Sequence, residues 1–286
     1  MVAVVTGHRG FLGGYASAAL EAAEWTVVGA GRPEMTIPSA AFDALLEDVR
    51  PRLVVHCAGP ASVPASVADP DADRRGAVEV TQALVDRLAR LEPPPRLLLV
   101  SSAAVYGEPQ RLPVDERTPP APISPYGRHR HECERLVRGG GIPVAIARVF
   151  SAYGEGLRRQ VLWDIARQAL VRDRVDLLGT GAETRDFVHG ADVGRALAAV
   201  ASAAAFEGEA YNVASGVETS IRELAELLLD AFGVHAEIEF SGAGRRGDPT
   251  RWLADIGAIR ALGFEPCLPL REGVARYAAW LRAAMP

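Results

Sequence analysis

The sequence predicts an α/β fold, a doubly wound parallel sheet with a smaller α/β lobe toward the C-terminus. Three observations predict it. Short, continuous apolar runs alternate with helical stretches through the first half of the chain, as in a parallel sheet whose strands are covered on both faces. A glycine-rich turn, Gly7-His8-Arg9-Gly10-Phe11-Leu12-Gly13, lies directly between the first run and the first helix. After Phe150 the alternation loosens, as expected where a second lobe is built over the strand ends.

Taken in order, Val2 to Thr6 reads as a buried strand and Phe11 to Ala23 as a helix. Thr26 to Ala30 is a second strand, Ala40 to Val49 a short helix, and Leu53 to Ala58 a third strand. A long helix is expected over Asp71 to Leu91, then a fourth strand over Leu97 to Ser101. A helix from Pro125 to Arg138 and a strand from Val144 to Ala147 follow. Helices are expected around Gln160 to Val171 and from Ala191 to Ala204, and Ser220-Ile221-Arg222-Glu223 has capping-box spacing at a helix start. These elements divide the chain into a dinucleotide-binding domain over 1–150, rejoined by part of 186–215, and a substrate-binding lobe over 151–185 and 216–286.

Bulk properties narrow the partners. The 286 residues suffice for a well-buried core, and 49% hydrophobic with 23% charged residues is ordinary for a soluble globular protein. A net charge of -5 argues against nucleic acid, whose phosphates need a basic surface. The three cysteines, Cys57, Cys133 and Cys267, lack metal or redox spacing and read as buried thiols of a reducing compartment. With no membrane-spanning apolar run and no signal segment, the expectation is a cytoplasmic protein without membrane partners.

The glycine turn reads as a Rossmann-type cradle. Glycine permits the tight turn, lets the backbone approach a pyrophosphate, and lets helix and strand pack closely. The phosphates then meet free N–H groups at the helix N-terminus. An NAD site wants a carboxylate near the end of the second strand to accept from the ribose hydroxyls. Here the chain reads Gly29-Ala30-Gly31-Arg32. Arg32 and Arg9 instead suit a 2′-phosphate, which favours NADP(H), with NAD(H) the alternative.

Further motifs follow in order. Ser101-Ser102-Ala103-Ala104-Val105-Tyr106-Gly107 ends the fourth strand, and Tyr126-Gly127-Arg128-His129-Arg130 opens the next helix. Arg148 to Gly154, Thr184-Arg185-Asp186-Phe187-Val188-His189 with Asp192, and Arg245-Arg246-Gly247-Asp248 come later. Together with the glycine loop these resemble the extended short-chain dehydrogenase/reductase family, in particular its nucleotide-sugar epimerases, dehydratases and ketoreductases, through most of the chain.

The resemblance implies a site. Tyr126 would be the acid or base toward the sugar oxygen and Ser102 its hydrogen-bonding partner. A phenol ionises near pH ~10 in water, so a cation one helical turn away helps by favouring phenolate. The family has lysine there; this chain has Arg130, which keeps the charge but carries a planar fork. Gly7, Arg9, Gly10, Phe11, Leu12, Gly13, Arg32, Ala58, Tyr126 and Arg130 would hold the cofactor. Ser102, Ser151, Arg185 and Arg245 would hold a nucleotide-diphosphate sugar, the arginines on its phosphates. His129 and His131, beside Arg130, read as solvated, and Asp186, His189 and Asp192 as organisers of the fold.

The implied reaction is hydride transfer at C4 of a nucleotide-linked hexose, by a 4-ketoreductase or a 4-epimerase. The 4,6-dehydratases place Asp-Glu after the active-site hydroxyl, whereas Ala103-Ala104 cannot move protons, so dehydration is disfavoured. The rival is a dinucleotide- or nucleotide-sugar-binding protein without turnover. A homodimer joined through the helices at Asp71 to Leu91 and Pro125 to Arg138 is expected by the same resemblance.

Overall fold

Six parallel strands form the central sheet of the computed structural model, which describes residues 1–32, 35–244 and 247–284. β1 (Val2–Thr6), β2 (Thr26–Ala30) and β3 (Leu53–His56) are separated by α1 (Phe11–Ala22) and α2 (Ala40–Val49). α3 (Val63–Ala68), α4 (Pro70–Arg74), a π-helical turn (Arg75–Glu79) and α5 (Val80–Leu88) lead to β4 (Arg96–Ser102). A 3₁₀ turn (Ala103–Val105), α6 (Pro125–Gly139) and β5 (Val144–Val149) complete the first half.

The second half runs β6 (Ser151–Tyr153), α7 (Gln160–Ala169), β7 (Arg174–Leu177), β8 (Thr184–His189) and α8 (Gly190–Ala203). It continues with β9 (Glu207–Val213), β10 (Glu218–Ser220), α9 (Ile221–Phe232), β11 (Glu237–Phe240), α10 (Gly257–Arg260) and α11 (Leu270–Ala284). The large sheet has the order β2-β1-β3-β4-β5-β9, so a strand from the second half closes it beside β5. Small sheets β10-β8-β6 and β11-β7 lie outside it.

Alternation along each strand sends side chains to both faces. Ala3 and Val5 pack with Ala16 and Leu20 of α1 and with Val193 and Leu197 of α8. Val4 packs on the opposite side with Phe42 and Leu46 of α2, Leu84 of α5 and Val137 of α6. A separate core joins Leu162 and Ile165 of α7, Leu224 and Leu228 of α9, and Tyr277 of α11. This is a Rossmann-like α/β fold. Its strand order reverses direction between β1 and β3, and ligands of open α/β sheets bind outside the strand ends at such a switch point.

Most expected elements recur within one or two residues, and α9 starts at the capping box, with Glu223 N donating to Ser220 Oγ at 3.1 Å. Four readings need correction. The single helix expected over Asp71 to Leu91 is broken at Arg75–Glu79, where Gly76 lies so close to Pro60 that a Cβ there would come within 2.9 Å of its ring. The strand expected to reach Ala58 stops pairing at His56, because Gly59 turns the chain with φ +134°. The strand expected to end at Ala147 continues to Val149, held between β4 and β9. Cys267 is exposed rather than buried, on a segment held only through its backbone amides, Cys267 N and Leu268 N donating to the buried Asp192 Oδ2 in the first turn of α8. Among the described residues no helix is long and apolar enough to cross a membrane.

Candidate active site

The loop after β1 is shaped by close approach. Gly7 has φ +67°, and a Cβ there would stand 2.9 Å from the backbone of Ala58 in the loop after β3. A Cβ on Gly13 would stand 2.1 Å from the Gly7 carbonyl oxygen. Gly10 N-caps α1 without a capping side chain, so the first-turn amides are left for another acceptor. Phe11 packs edge-on against Tyr15 at 5.4 Å and Leu12 against the first core, so both offer the loop their backbone. A Cβ-free cradle at a helix N-terminus fits a dinucleotide pyrophosphate. Arg9 and Arg32 are both exposed.

α6 is fixed at its start by Ser124, whose Oγ accepts from Gly127 N at 3.1 Å, and by Pro125 in its first turn. Tyr126 N donates to Ser66 Oγ of α3 at 3.0 Å. A Cβ on Gly127 would lie 2.4 Å from the Ala104 carbonyl oxygen, so α6 begins directly against the turn that follows Ser102. That contact brings the Ser102 and Tyr126 segments together. Ser102 is half-buried at the end of β4, its Oγ accepting from Ala104 N at 3.2 Å.

Arg130 is 6% exposed. Its Nη2 donates to the Pro60 carbonyl, its Cζ lies 5.2 Å from the Tyr126 ring centroid, and its Nε is buried without a hydrogen-bond partner among the described residues. Burial works against this guanidinium, but the facing Tyr126 and Cys133 hold its pKa above the ordinary value. The charge is felt nearby. Burial and Arg130 together push the His56 imidazole down to about 3, and burial pushes the Cys57 thiol up to about 12 against the pull of Arg130. His129 is not solvated, since its Nδ1 meets buried Asp73 Oδ2 at 2.6 Å. His131 is half-buried, its Nδ1 without a hydrogen-bond partner among the described residues.

Beneath the site lies a buried ion pair that sequence reading missed. Glu134 accepts from Ser101 Oγ at 2.7 Å and from Arg148 Nε at 3.0 Å and Nη2 at 2.8 Å. Arg148 Nη1 also donates to Tyr106 OH at 2.9 Å, and that hydroxyl donates to Asn212 Oδ1 at 2.7 Å. One carboxylate therefore joins α6 to the ends of β4 and β5. The only sequence signal was the i, i+4 spacing of Arg130 and Glu134 on one face of α6.

On the substrate side Ser151 is half-buried at the start of β6. Arg185 Nη1 donates to the Thr184 carbonyl at 2.7 Å, with Cζ 5.5 Å from the Trp252 ring centroid. Burial pushes its guanidinium down, opposed by Asp248, Glu108 and Glu183. Among the described residues it hydrogen-bonds carbonyls rather than a carboxylate. Arg245 lies outside the described residues. A Cβ on Gly247 would come 3.3 Å from Ser124 Cβ, so Gly247 itself lies against the start of α6. Asp186 accepts from Ser215 N, Gly216 N and Ala254 N, and His189 accepts from Ala191 N, so both organise the fold, as Asp192 does.

The family model described as "NAD dependent epimerase/dehydratase family" matches residues 3–214. The chain belongs to this family. A putative UDP-glucose 4-epimerase of Methanocaldococcus jannaschii is 31% identical over 238 residues, 80% of this chain and 77% of that protein. A dTDP-glucose 4,6-dehydratase of Streptomyces antibioticus is 31% identical over 235 residues, 80% and 70% of the two chains. Among solved structures, MoeE5 in complex with UDP-glucuronic acid and NAD superposes with TM-score 0.90 at 28% identity, covering 100% of both chains. Relatives of this epimerase/dehydratase family member thus carry out more than one reaction on nucleotide sugars.

Proposed function

We propose that the chain is an NAD(P)-dependent enzyme that transfers hydride at C4 of a nucleotide-linked hexose, as a 4-ketoreductase or a 4-epimerase. The observation that carries this is the pair Ala103 and Ala104, both buried in the turn after Ser102, with Ala104 held against Gly127. With Ser101, Tyr106 and His129 engaged by Glu134, Asn212 and Asp73, it leaves Ser102 and Tyr126 to handle protons, enough for chemistry at one oxygen and insufficient for the elimination of a dehydratase.

Bound in the cradle, a nicotinamide dinucleotide would supply and accept the hydride. Gly7, Gly10, Gly13 and the amides of Phe11 and Leu12 hold its pyrophosphate, with Ala58 beside them. Arg9 and Arg32 sit toward the adenosine end and favour NADP(H). Tyr126 moves the proton at the C4 oxygen, Ser102 hydrogen-bonds that oxygen, and Arg130 keeps a fixed positive charge over the phenol ring. Arg185 and Arg245 take the diphosphate, and Ser151 faces the sugar. The chain works as a homodimer through α5 and α6.

The test is a panel of UDP- and dTDP-linked hexoses, hexuronic acids and 4-keto sugars, followed by NMR of the sugar C4 centre and by NADPH absorbance. Inversion at C4 without net oxidation supports an epimerase, and NADPH consumption with a 4-keto sugar supports a reductase. Binding of dinucleotide without turnover of any panel member would replace both with a binding protein.

A further inference from the structure

Asp73 is a buried charge to which the chemistry above gives no task. It lies on α4 with its side chain 3% exposed, facing α6. Its Oδ2 meets His129 Nδ1 at 2.6 Å, and because an ionised carboxylate only accepts, the imidazole is the donor. Its Oδ1 is buried without a hydrogen-bond partner among the described residues. A carboxylate taken out of water needs a cation or further donors to remain ionised. The next residue of α4, Arg74, is engaged elsewhere by Glu132 and Glu79. The buried cation opposite is Arg130, which follows His129 on α6. Burial works against its guanidinium, and Asp73 joins Tyr126 and Cys133 in opposing that effect. The Pro60 carbonyl holds one end of the fork at Nη2, while the Nε end has no hydrogen bond among the described residues.

The groups therefore follow one another: His129 on Asp73, Asp73 facing Arg130, and Arg130 over the Tyr126 ring. One turn of α6 carries both ends of the series, since His129 and Arg130 stand three and four residues after Tyr126. We propose that Asp73 is a positioning residue, the counter-charge that keeps the Nε side of Arg130 over Tyr126, with His129 holding the carboxylate ionised and aimed. The inference rests on the reaction reading above and deepens it. Burial matters to the role, because water and salt would screen an exposed carboxylate at the same place.

The test reads Tyr126 ionisation as tyrosinate absorbance across pH, on the full chain, with Tyr126→Phe in the same background as the blank. The kcat and KM for any nucleotide sugar that turns over are measured beside it. Asp73→Asn removes the charge and keeps the shape. If Asp73 holds Arg130 in place, the absorbance midpoint moves up by about one pH unit, in the direction of Arg130→Ala. The kcat then falls about tenfold while KM stays within about twofold. If the carboxylate only diluted the positive field, its loss would move the midpoint down. A downward or absent shift, or an unchanged kcat, overturns the proposal. In the Arg130→Ala background Asp73→Asn should give no upward shift, and an upward shift there is equally fatal. His129→Asn keeps a donor to the carboxylate and should keep the wild-type midpoint. His129→Ala leaves a buried carboxylate that takes up a proton, and should move the midpoint up as Asp73→Asn does. If circular dichroism shows Asp73→Asn to be unfolded, this pair decides, and a His129→Ala midpoint equal to wild type overturns the role. The absorbance is readable whether or not any nucleotide sugar turns over, so failure of the reaction reading is a separate result.

Discussion

The Arg130 guanidinium lies one helical turn from Tyr126, over its ring at 5.2 Å, while its Nη2 is tied to the Pro60 carbonyl. The charge is thus held against the phenol by a backbone group of the neighbouring loop. Arg130→Ala should lower kcat by about 10²-fold or more, the range of a lost acid–base contribution. Arg130→Lys keeps the charge and should retain most of kcat, with the loss appearing in dinucleotide affinity. Steady-state kinetics beside direct dinucleotide titration would separate the two, and equal losses in both variants would contradict this role.

Substitutions in the glycine loop should divide sharply. Gly13→Ala pushes a methyl to 2.1 Å from the Gly7 oxygen, whereas a Cβ on Gly14 meets only the His8 oxygen, at 3.7 Å. Gly13→Ala is expected to cost about 1–3 kcal/mol and to abolish dinucleotide binding. Gly14→Ala, inside α1, should be neutral or stabilising by up to about 1 kcal/mol. Thermal melts with and without NADPH check both.

Acid should destabilise the fold through His56. Its folded pKa is depressed to about 3, below the unfolded value near ~6.5. The neutral imidazole therefore contributes stability above the unfolded pKa, and that contribution is lost as pH falls toward the folded one, by up to about 1.4 kcal/mol per unit. Between pH 7 and pH 5 urea denaturation should show a loss of about 2 kcal/mol from this group. The slope should flatten in His56→Asn, and an identical slope would exclude His56 as its origin.

Breaking the Glu134–Arg148 pair on one side should be worse than removing it whole. Both side chains are almost fully buried. Glu134→Leu or Arg148→Met alone should cost about 3–5 kcal/mol, and the two substitutions together less than the sum of the single losses. A double-mutant cycle in urea tests this, with additivity as the contrary result.

The parts of the molecule legible in the sequence were those set by local rules. β1, β2 and α2 end where read, and Gly7, Gly10 and Gly13 announce their loop because the turn itself requires them. The π-helical turn at Arg75–Glu79 was hidden, since it answers to Pro60 across space rather than to its own periodicity. β6, β7, β10 and β11 have only 3 or 4 residues each, too few for an alternation to register. Glu134 and Arg148 resemble surface charges in a string of letters, and only the ring of partners around them reveals otherwise.

The position of β9 beside β5 has a consequence for how the protein is made. All 6 residues of β5 are buried, and its outer edge is covered by a strand that is synthesised only after β6, α7, β7, β8 and α8. A nascent chain that has just emerged past Phe150 therefore presents an apolar strand with one unpaired rim, the kind of edge that recruits other chains. A fragment truncated there should aggregate. Extending it through Ala214 would restore the missing neighbour and, with it, solubility.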